Sequence, residues 1–173
     1  MSFRKAELSE LGFDPFTKIG KEWMLLTGGN STESGKWNTM TASWGQAGVL
    51  WNKNVVTCYV RPNRHTFGFI EEGECFTASF FSEEYRQALS FCGSHSGRDC
   101  DKAKETGLTP VETDGCVTFE EADTVLVLRK LYAYDLCEEG FLTEDGIQEK
   151  FFGEGNPYHR AYICEIVAAY KKD

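Results

Sequence analysis

The sequence has no segment of the kind that crosses a membrane or directs export. No apolar run approaches the roughly 18 consecutive residues that a membrane-spanning helix needs. Residues 1–12 are mixed and charged and lack the apolar core of a secretion signal. We therefore expect a cytoplasmic protein with no membrane partner.

Metal-binding and redox motifs are also missing, although cysteine is not rare. None of the seven cysteines forms a C-x-x-C pair, which argues against a zinc knuckle, an iron–sulfur cluster and a thioredoxin-type motif. The three histidines are widely dispersed, so no metal site is expected. Without a secretion signal, the thiols are interpreted as reduced and mostly buried, and whether one of them is redox-active stays open.

Glycine and proline form none of the patterns that mark a nucleotide fold or a low-complexity chain. The 17 glycines and 4 prolines are too few for collagen-like or proline-rich sequence. Neither G-x-G-x-x-G nor a P-loop occurs, and strands do not alternate regularly with helices. A doubly wound dinucleotide-binding fold is therefore not expected.

Acidic residues are absent from one long stretch of an otherwise acidic chain. The net charge is −9, which disfavours nucleic acid as a partner. Residues 34–70 contain no Asp or Glu, where uniform spacing would place about six, but they contain four Lys and Arg residues. Such a segment can hold an anion that the rest of the surface would repel. A buried sheet would also lack acids, but it would not explain Arg61 and Arg64, and both interpretations stay open.

Length and hydrophobic pattern predict one domain, 1–173, of mainly β structure. Strands are predicted at 22–27, 37–44, 55–60, 75–81, 124–132 and 158–170. Helices are predicted from the cap Ser82 to Gly93, over 99–106, and from Thr143 to 152. At least six strands with inserted helices favour a closed or partly closed antiparallel barrel.

The first segment whose residues could bind a ligand is the run N-T-M-T-A-S-W at 38–44. Small residues let a backbone approach a flat ligand, hydroxyls can donate to carbonyl or phosphate oxygens, and backbone N–H groups can serve ring nitrogens. An ordinary threonine-rich strand has the same composition, so this run alone decides nothing.

Two further segments carry positive charge. In V-R-P-N-R-H-T at 60–66, two arginines three residues apart and a threonine hydroxyl would cradle a phosphate. A glycine- and serine-rich loop at 92–102 leads into a helix start and adds Arg98 and Lys102, a composition that favours anions. A solvated turn and a plain helix connection are the alternatives. The paired glutamates are interpreted as solvated side chains, and no catalytic acid or base is assigned.

In this order and spacing, the three segments resemble the flavin reductase-like family, and within it the flavoredoxin-type FMN-binding split barrels. Runs at 48–53, 76–81 and 158–166 extend the resemblance over about 23–167. The resemblance implies a Greek-key split β-barrel with short inserted helices, usually a homodimer. It also implies one non-covalently bound FMN per subunit, near the dimer interface.

The resemblance assigns FMN contacts to three groups of residues and to Ser79 in the 76–81 run. The residues that line the flavin ring are Asn38, Thr39, Met40, Thr41, Ala42 and Ser43. Those expected near the phosphate are Arg61, Arg64 and Thr66, and those that close the pocket are Ser94, Arg98 and Lys102. Trp44 and Trp51 either cover a ring face or belong to the core.

The implied function is that of an oxidoreductase. A flavin reductase would take hydride from NADH or NADPH and pass electrons to bound or free flavin, or to a flavin-dependent acceptor enzyme. A flavoredoxin-like electron-transfer protein, reduced by a protein partner instead, is the alternative. A split barrel that has lost flavin is the third. The sequence does not separate these three.

Overall fold

The computed structural model describes residues 3–172. Its strands are β1 (Phe3–Lys5), β2 (Met24–Gly29), β3 (Trp37–Ala42), β4 (Gly45–Leu50), β5 (Lys53–Val60), β6 (Cys75–Phe80), β7 (Pro110–Thr113), β8 (Cys116–Phe119), β9 (Thr124–Asp135) and β10 (Arg160–Lys172). Its α-helices are α1 (Pro15–Thr17), α2 (His65–Glu72), α3 (Arg86–Ser94), α4 (Lys102–Thr106) and α5 (Ile147–Phe151). None of the helices in this part of the chain is long and apolar enough to span a membrane.

The main sheet is antiparallel and runs in the order β3-β2-β6-β9-β10-β5-β4, with β1 added to β10. Its two end strands, β3 and β4, are consecutive in the chain and only Ser43 and Trp44 lie between them. The sheet therefore curls until its ends approach, and between residues 3 and 172 no pairing of β3 with β4 closes it. The predicted mainly β split-barrel fold with short inserted helices is confirmed.

Alternation along the strands separates the inside of the barrel from an outer layer. Met40 of β3, Val56 of β5 and Phe76 of β6 meet in one buried core, although their strands are not neighbours. On the other face of β6, the hydroxyl of Thr77 donates to the carbonyl oxygen of Val117 at 2.6 Å. The β7–β8 hairpin covers this face, so β6 is buried on both sides.

Three details of the predicted helices are wrong at their ends. Gly93 lies inside α3 rather than after it, because a Cβ there would come within 3.3 Å of the Thr41 side chain and glycine lets the helix pack closely on β3. The cap of α4 is Asp101, whose carboxylate accepts from the N–H of Lys104. Gly146, not Thr143, precedes α5, which spans only 147–151.

The expectation that all seven thiols are reduced is wrong for two of them. Cys75 and Cys116 form a disulfide, with Cα atoms 6.7 Å apart. Cys75 shares the face of β6 that packs on β8, and this packing brings together two residues separated by 41 positions. Cys58, Cys92 and Cys164 are buried free thiols, as the sequence suggests.

Reducing this disulfide is expected to lower the free energy of unfolding by about 2–4 kcal/mol, because the bond restricts a long loop of the unfolded chain. Denaturant unfolding with and without reductant measures the change. Cys137→Ser, which removes an exposed free thiol, is the control and should change nothing. Seven titratable thiols in the denatured, unreduced protein would contradict the disulfide.

Candidate functional site

The outer edge of β3 offers backbone hydrogen-bonding groups to a ligand. Among the described strands, none pairs with this edge, because β3 ends the sheet. The ammonium group of Lys102 donates to the Thr39 carbonyl oxygen at 2.7 Å, so the backbone of Thr39 faces outward. In an antiparallel strand every second residue points the same way, which places the N–H and C=O of Thr41 on the same edge.

A groove of three adjoining cavities lies beside this edge. The strand-edge cavity, about 210 Å³, is lined by residues 40–44 together with Tyr59, Arg61, Arg64, Gly93 and His159. It shares Arg61 and Arg64 with the cationic cavity, of about 300 Å³. It shares Ser43, Trp44, Tyr59 and His159 with the apolar cavity, of about 650 Å³. The groove therefore changes from cationic through polar to apolar.

The cationic cavity collects positive charge without carboxylates. Arg61, Arg64, Arg98 and Lys102 line it together with the first turn of α2, and no Asp or Glu is among its described lining residues. The N-cap residue of α2 makes no side-chain hydrogen bond to the first N–H groups of the helix. The positive end of the helix dipole therefore adds to the positive charge of the cavity. Burial, then the charges of Arg98 and Lys102, lower the pKa of His65. The cavity is suited to a phosphate.

The basic side chains are held by carbonyl oxygens, which orient them without neutralising them. Arg64 donates to the Gly93 carbonyl oxygen at 2.7 Å, which occupies one of the five N–H donors of its guanidinium. Lys102 is almost fully buried and also donates to the Cys92 carbonyl oxygen at 2.7 Å. Burial lowers the pKa of both Arg64 and Lys102. An anion in the cavity would relieve this cost.

Arg61 has a different role in the same cavity. Its guanidinium donates to the carbonyl oxygens of Phe151 and Pro157, each at 2.8 Å. These bonds fasten the segment 136–157, which we call the strap, beside the groove. Burial, then the charge of Arg64, lower the pKa of Arg61.

The loop after α3 lies against the end of β3. The amide of Asn38 donates to the hydroxyl of Thr66 at 2.7 Å and so ties β3 to the first turn of α2. A Cβ at Gly97 would lie 1.9 Å from Oδ1 of Asn38, so only glycine fits there. This contact fixes the loop that carries Arg98 into the cationic cavity.

The structure brings together most of the residues that the resemblance assigned. Met40, Thr41, Ala42 and Ser43 line the strand-edge cavity. The cationic cavity is lined by Asn38, Arg61, Arg64, Thr66, Ser94, Arg98 and Lys102.

Several assigned hydroxyls are engaged elsewhere. Ser79 is outside the groove: it is fully buried on the outer face of β6, with its hydroxyl 2.8 Å from that of Thr118. The Thr39 hydroxyl lies 2.8 Å from that of Thr27, and Thr41 donates to the carbonyl oxygen of Leu89. Ser94 donates to the carbonyl oxygen of Ser90 at 2.9 Å, within its own helix. On β3 the backbone therefore faces the groove, and the two threonine hydroxyls bind within the protein.

Two residues of the groove were not singled out from the sequence. Tyr59 lies two positions before Arg61, so strand alternation could have placed it on the same face. His159 precedes β10, and its ring packs 5.1 Å from Trp44 and 5.7 Å from Phe152, between ring centroids. Burial, then the charge of Arg61, lower the pKa of His159 to about 4. Its ring is neutral at neutral pH.

Residues 18–171 match the model of the flavin reductase like domain. The chain belongs to the flavin reductase-like family. The match covers most of the sequence and includes every element that lines the cationic and strand-edge cavities. No curated protein sequence matches the chain.

Solved structures of other proteins share the fold of this flavin reductase-like chain. Flavoredoxin from Methanosarcina acetivorans is 20% identical, with a TM-score of 0.66, and the match covers 88% of this chain and 69% of that chain. An FMN-binding domain of a flavin reductases-like enzyme from Shewanella baltica is 17% identical, with a TM-score of 0.65 and coverage of 98% and 77%. The NADH:FAD oxidoreductase SgcE6 from Streptomyces globisporus is 14% identical, with a TM-score of 0.61 and coverage of 87% and 76%.

Proposed function

We propose that the chain binds one FMN non-covalently in the groove and acts as an NAD(P)H-dependent flavin reductase. The observation that carries the proposal is the order of environments along the groove. Cations without carboxylates come first, then an unpaired strand edge, then an apolar cavity. FMN has a phosphate, a ring system with a polar edge and an apolar ring end in the same order. The residues of the groove therefore match the chemistry of this cofactor.

Each part of the groove has a role in this proposal. Arg64, Arg98 and the first turn of α2 would hold the phosphate, with charge-assisted hydrogen bonds. The backbone N–H of Thr41 would donate to the polar edge of the ring. Trp44, which lines both the strand-edge cavity and the apolar cavity, would cover part of a ring face.

The cofactor supplies the hydride and electron chemistry when bound, and the protein supplies position, charge and exclusion of water. A donor N–H on the edge of β3 would stabilise negative charge that develops on the polar edge of the ring. Among the groove residues, none is needed as a general acid or base. The positive charge of the cationic cavity would hold the phosphate end of FMN. The ring end would stay open to a second molecule.

Electron donation by a protein partner is a second candidate, favoured by the charge of the strap. The exposed side chains of the strap include six carboxylates and one lysine, and the strap borders the apolar cavity. A basic redox protein would be attracted to this surface, whereas the pyrophosphate of NAD(P)H would be repelled.

An absorbance spectrum under nitrogen tests both candidates. FMN-loaded protein should show oxidised-flavin bands that NADH or NADPH bleaches faster than it bleaches free FMN. Bands that persist with NAD(P)H but bleach with a reduced redox protein would favour the second candidate. A colourless protein that takes up no added FMN would overturn both.

We also propose a homodimer, formed through the exposed face of β9 and the β4–β5 turn. Tyr132 is 55% exposed and Trp51 is 57% exposed, and their ring centroids lie 6.3 Å apart. Tyr134 extends this apolar surface along β9, with its ring centroid 6.1 Å from that of Tyr132. Patches of this kind on a soluble surface mark interaction sites.

Tyr132→Glu is expected to convert the dimer to monomer, because it would bury two like charges at a two-fold interface. Light scattering after gel filtration measures the mass. Leu142→Glu, at a strap residue that is 94% exposed, is the matched control and should leave the mass unchanged. A monomeric unmodified protein at tens of micromolar would contradict the proposal.

A further inference from the structure

Arg61 bonds to a part of the chain that has few other attachments. None of residues 136–157, which form the strap, is buried. Among the described residues, Arg61 and Asn63 supply all the side-chain hydrogen bonds that reach the strap from outside it. Arg61 makes its two bonds at 2.8 Å each, and Asn63 donates to the Gly155 carbonyl oxygen at 3.4 Å. A segment with few buried contacts opens locally at low cost, so these bonds set how firmly the strap is held.

The bonds of Arg61 lead from the cationic cavity to the ring end of the groove. Arg61 donates to the carbonyl oxygen of Phe151, and the ring of Phe151 packs edge-on against Trp44, with 5.1 Å between ring centroids. The next ring, that of Phe152, lines the apolar cavity, and its centroid lies 5.4 Å from the guanidinium carbon of Arg61. From the phosphate end, Arg61 therefore holds the residue against which Trp44 packs at the ring end.

Arg61 keeps donors for an anion while it holds the strap. Its two bonds use one N–H on each terminal nitrogen and leave three of the five N–H donors without a partner among the described residues. It lines the cationic cavity together with Arg64 and with Asn156, a strap residue. Burial, followed by the charge of Arg64, lowers the pKa of Arg61, and a phosphate bound by both arginines would offset both costs.

We propose that Arg61 is a positioning residue that couples the two ends of the groove. Through the strap it holds Phe151 against Trp44 at the ring end, and a phosphate in the cationic cavity strengthens that hold. Coupling of this kind is reciprocal, so a held strap also raises the affinity for the phosphate. The effect on flavins rests on the proposed FMN site, whereas the hold of Arg61 on the strap does not.

Hydrogen exchange on the full chain without flavin measures the hold. The backbone N–H groups of Phe152 and Asn156 are bonded to other carbonyl oxygens of the strap, so they exchange when the strap opens. We expect Arg61→Ala to speed their exchange about 10- to 100-fold. Arg86→Ala is the matched control and should leave the strap unchanged, because that arginine also binds two backbone carbonyls but outside the strap. Unchanged strap exchange in Arg61→Ala overturns the inference.

Inorganic phosphate tests the coupling in the same samples, at an ionic strength kept constant with chloride. Saturating phosphate should slow strap exchange at least about fivefold in the unmodified chain and should not slow it in Arg61→Ala. The amides of the β7–β8 hairpin are the internal reference, because this hairpin lines none of the three cavities. Equal slowing in both proteins, or no slowing in the unmodified chain, overturns the coupling.

Riboflavin shows whether the hold reaches the ring end. It lacks the phosphate, so a residue that acts only on the phosphate does not change its affinity. We expect Arg61→Ala to weaken riboflavin binding at least about fivefold, because the ring end loses the support of the strap. Arg61→Lys keeps the positive charge but offers one nitrogen where the guanidinium uses two, so riboflavin affinity should stay below that of the unmodified chain. Unchanged riboflavin binding in Arg61→Ala, or full recovery in Arg61→Lys, overturns the role at the ring end.

The outcomes separate this inference from the proposed function. If the chain takes up no flavin but strap exchange responds to Arg61→Ala and to phosphate as expected, the coupling stands and the FMN function fails. If FMN binds but strap exchange is the same in the unmodified chain and in Arg61→Ala, the FMN function stands and the inference fails.

Discussion

Arg64→Ala is expected to weaken FMN binding about 10- to 150-fold while changing riboflavin binding less than about threefold. The loss of one charge-assisted hydrogen bond to a bound phosphate costs about 1.5–3 kcal/mol, which corresponds to that range. Arg64 lies between the cationic and strand-edge cavities, with no described carboxylate lining the cavities to compete for it. Riboflavin lacks the phosphate, so it does not depend on this side chain. Fluorescence quenching of the two flavins on titration with protein measures both affinities.

A second arginine provides the control for structural damage. Arg86 also binds backbone carbonyls, at 2.8 Å to Lys21 and 2.9 Å to Glu22, and its guanidinium stacks 3.4 Å from the centroid of Trp23. It lines none of the three cavities. Arg86→Ala should therefore lower the melting temperature without weakening FMN binding. If Arg64→Ala weakens FMN and riboflavin equally, Arg64 does not bind the phosphate.

The strands were accessible to sequence reasoning because their signals are local. All six predicted strands are present, with boundaries shifted by a few residues, since β-branched and aromatic runs mark a buried strand wherever it pairs. Four strands were not predicted: β1, β4, β7 and β8. Among them, β4 has the glycine-rich and mostly exposed sequence G-Q-A-G-V-L. The edge position of β3 could not be predicted, because it depends on the pairing order of the whole sheet.

The same limit separates the predicted site residues that line the groove from those that do not. Arg61, Arg64 and Lys102 were recognisable because missing carboxylates and clustered basic residues are visible in the sequence. Ser79 lies outside the groove because the β7–β8 hairpin covers its face of β6, and that hairpin lies about forty residues further along the chain. The burial of His159 results from its packing against Trp44 and Phe152, which no local pattern reveals.

Gly97→Ala is expected to weaken FMN binding at least about tenfold and to lower the free energy of unfolding by about 1–3 kcal/mol. The new Cβ would lie 1.9 Å from Oδ1 of Asn38, so either the loop or the amide must move. Movement of the loop withdraws Arg98 from the cationic cavity, and movement of Asn38 breaks its bond to Thr66. Flavin titration and thermal unfolding of the same variant measure both effects.

A double variant shows whether this contact is the cause. Asn38→Ala removes the atom with which the new methyl group would collide, so Asn38→Ala/Gly97→Ala should lose less stability than the sum of the single variants. Gly48→Ala is the matched control, because no atom lies within 4 Å of its Cβ position, and it should preserve both stability and FMN affinity. Strict additivity of the two substitutions would show that Gly97 acts through another contact. Recovery of FMN affinity in the double variant would show that the Asn38 amide itself is not needed for the affinity. The position of the loop would then determine where Arg98 lies and how tightly the phosphate binds.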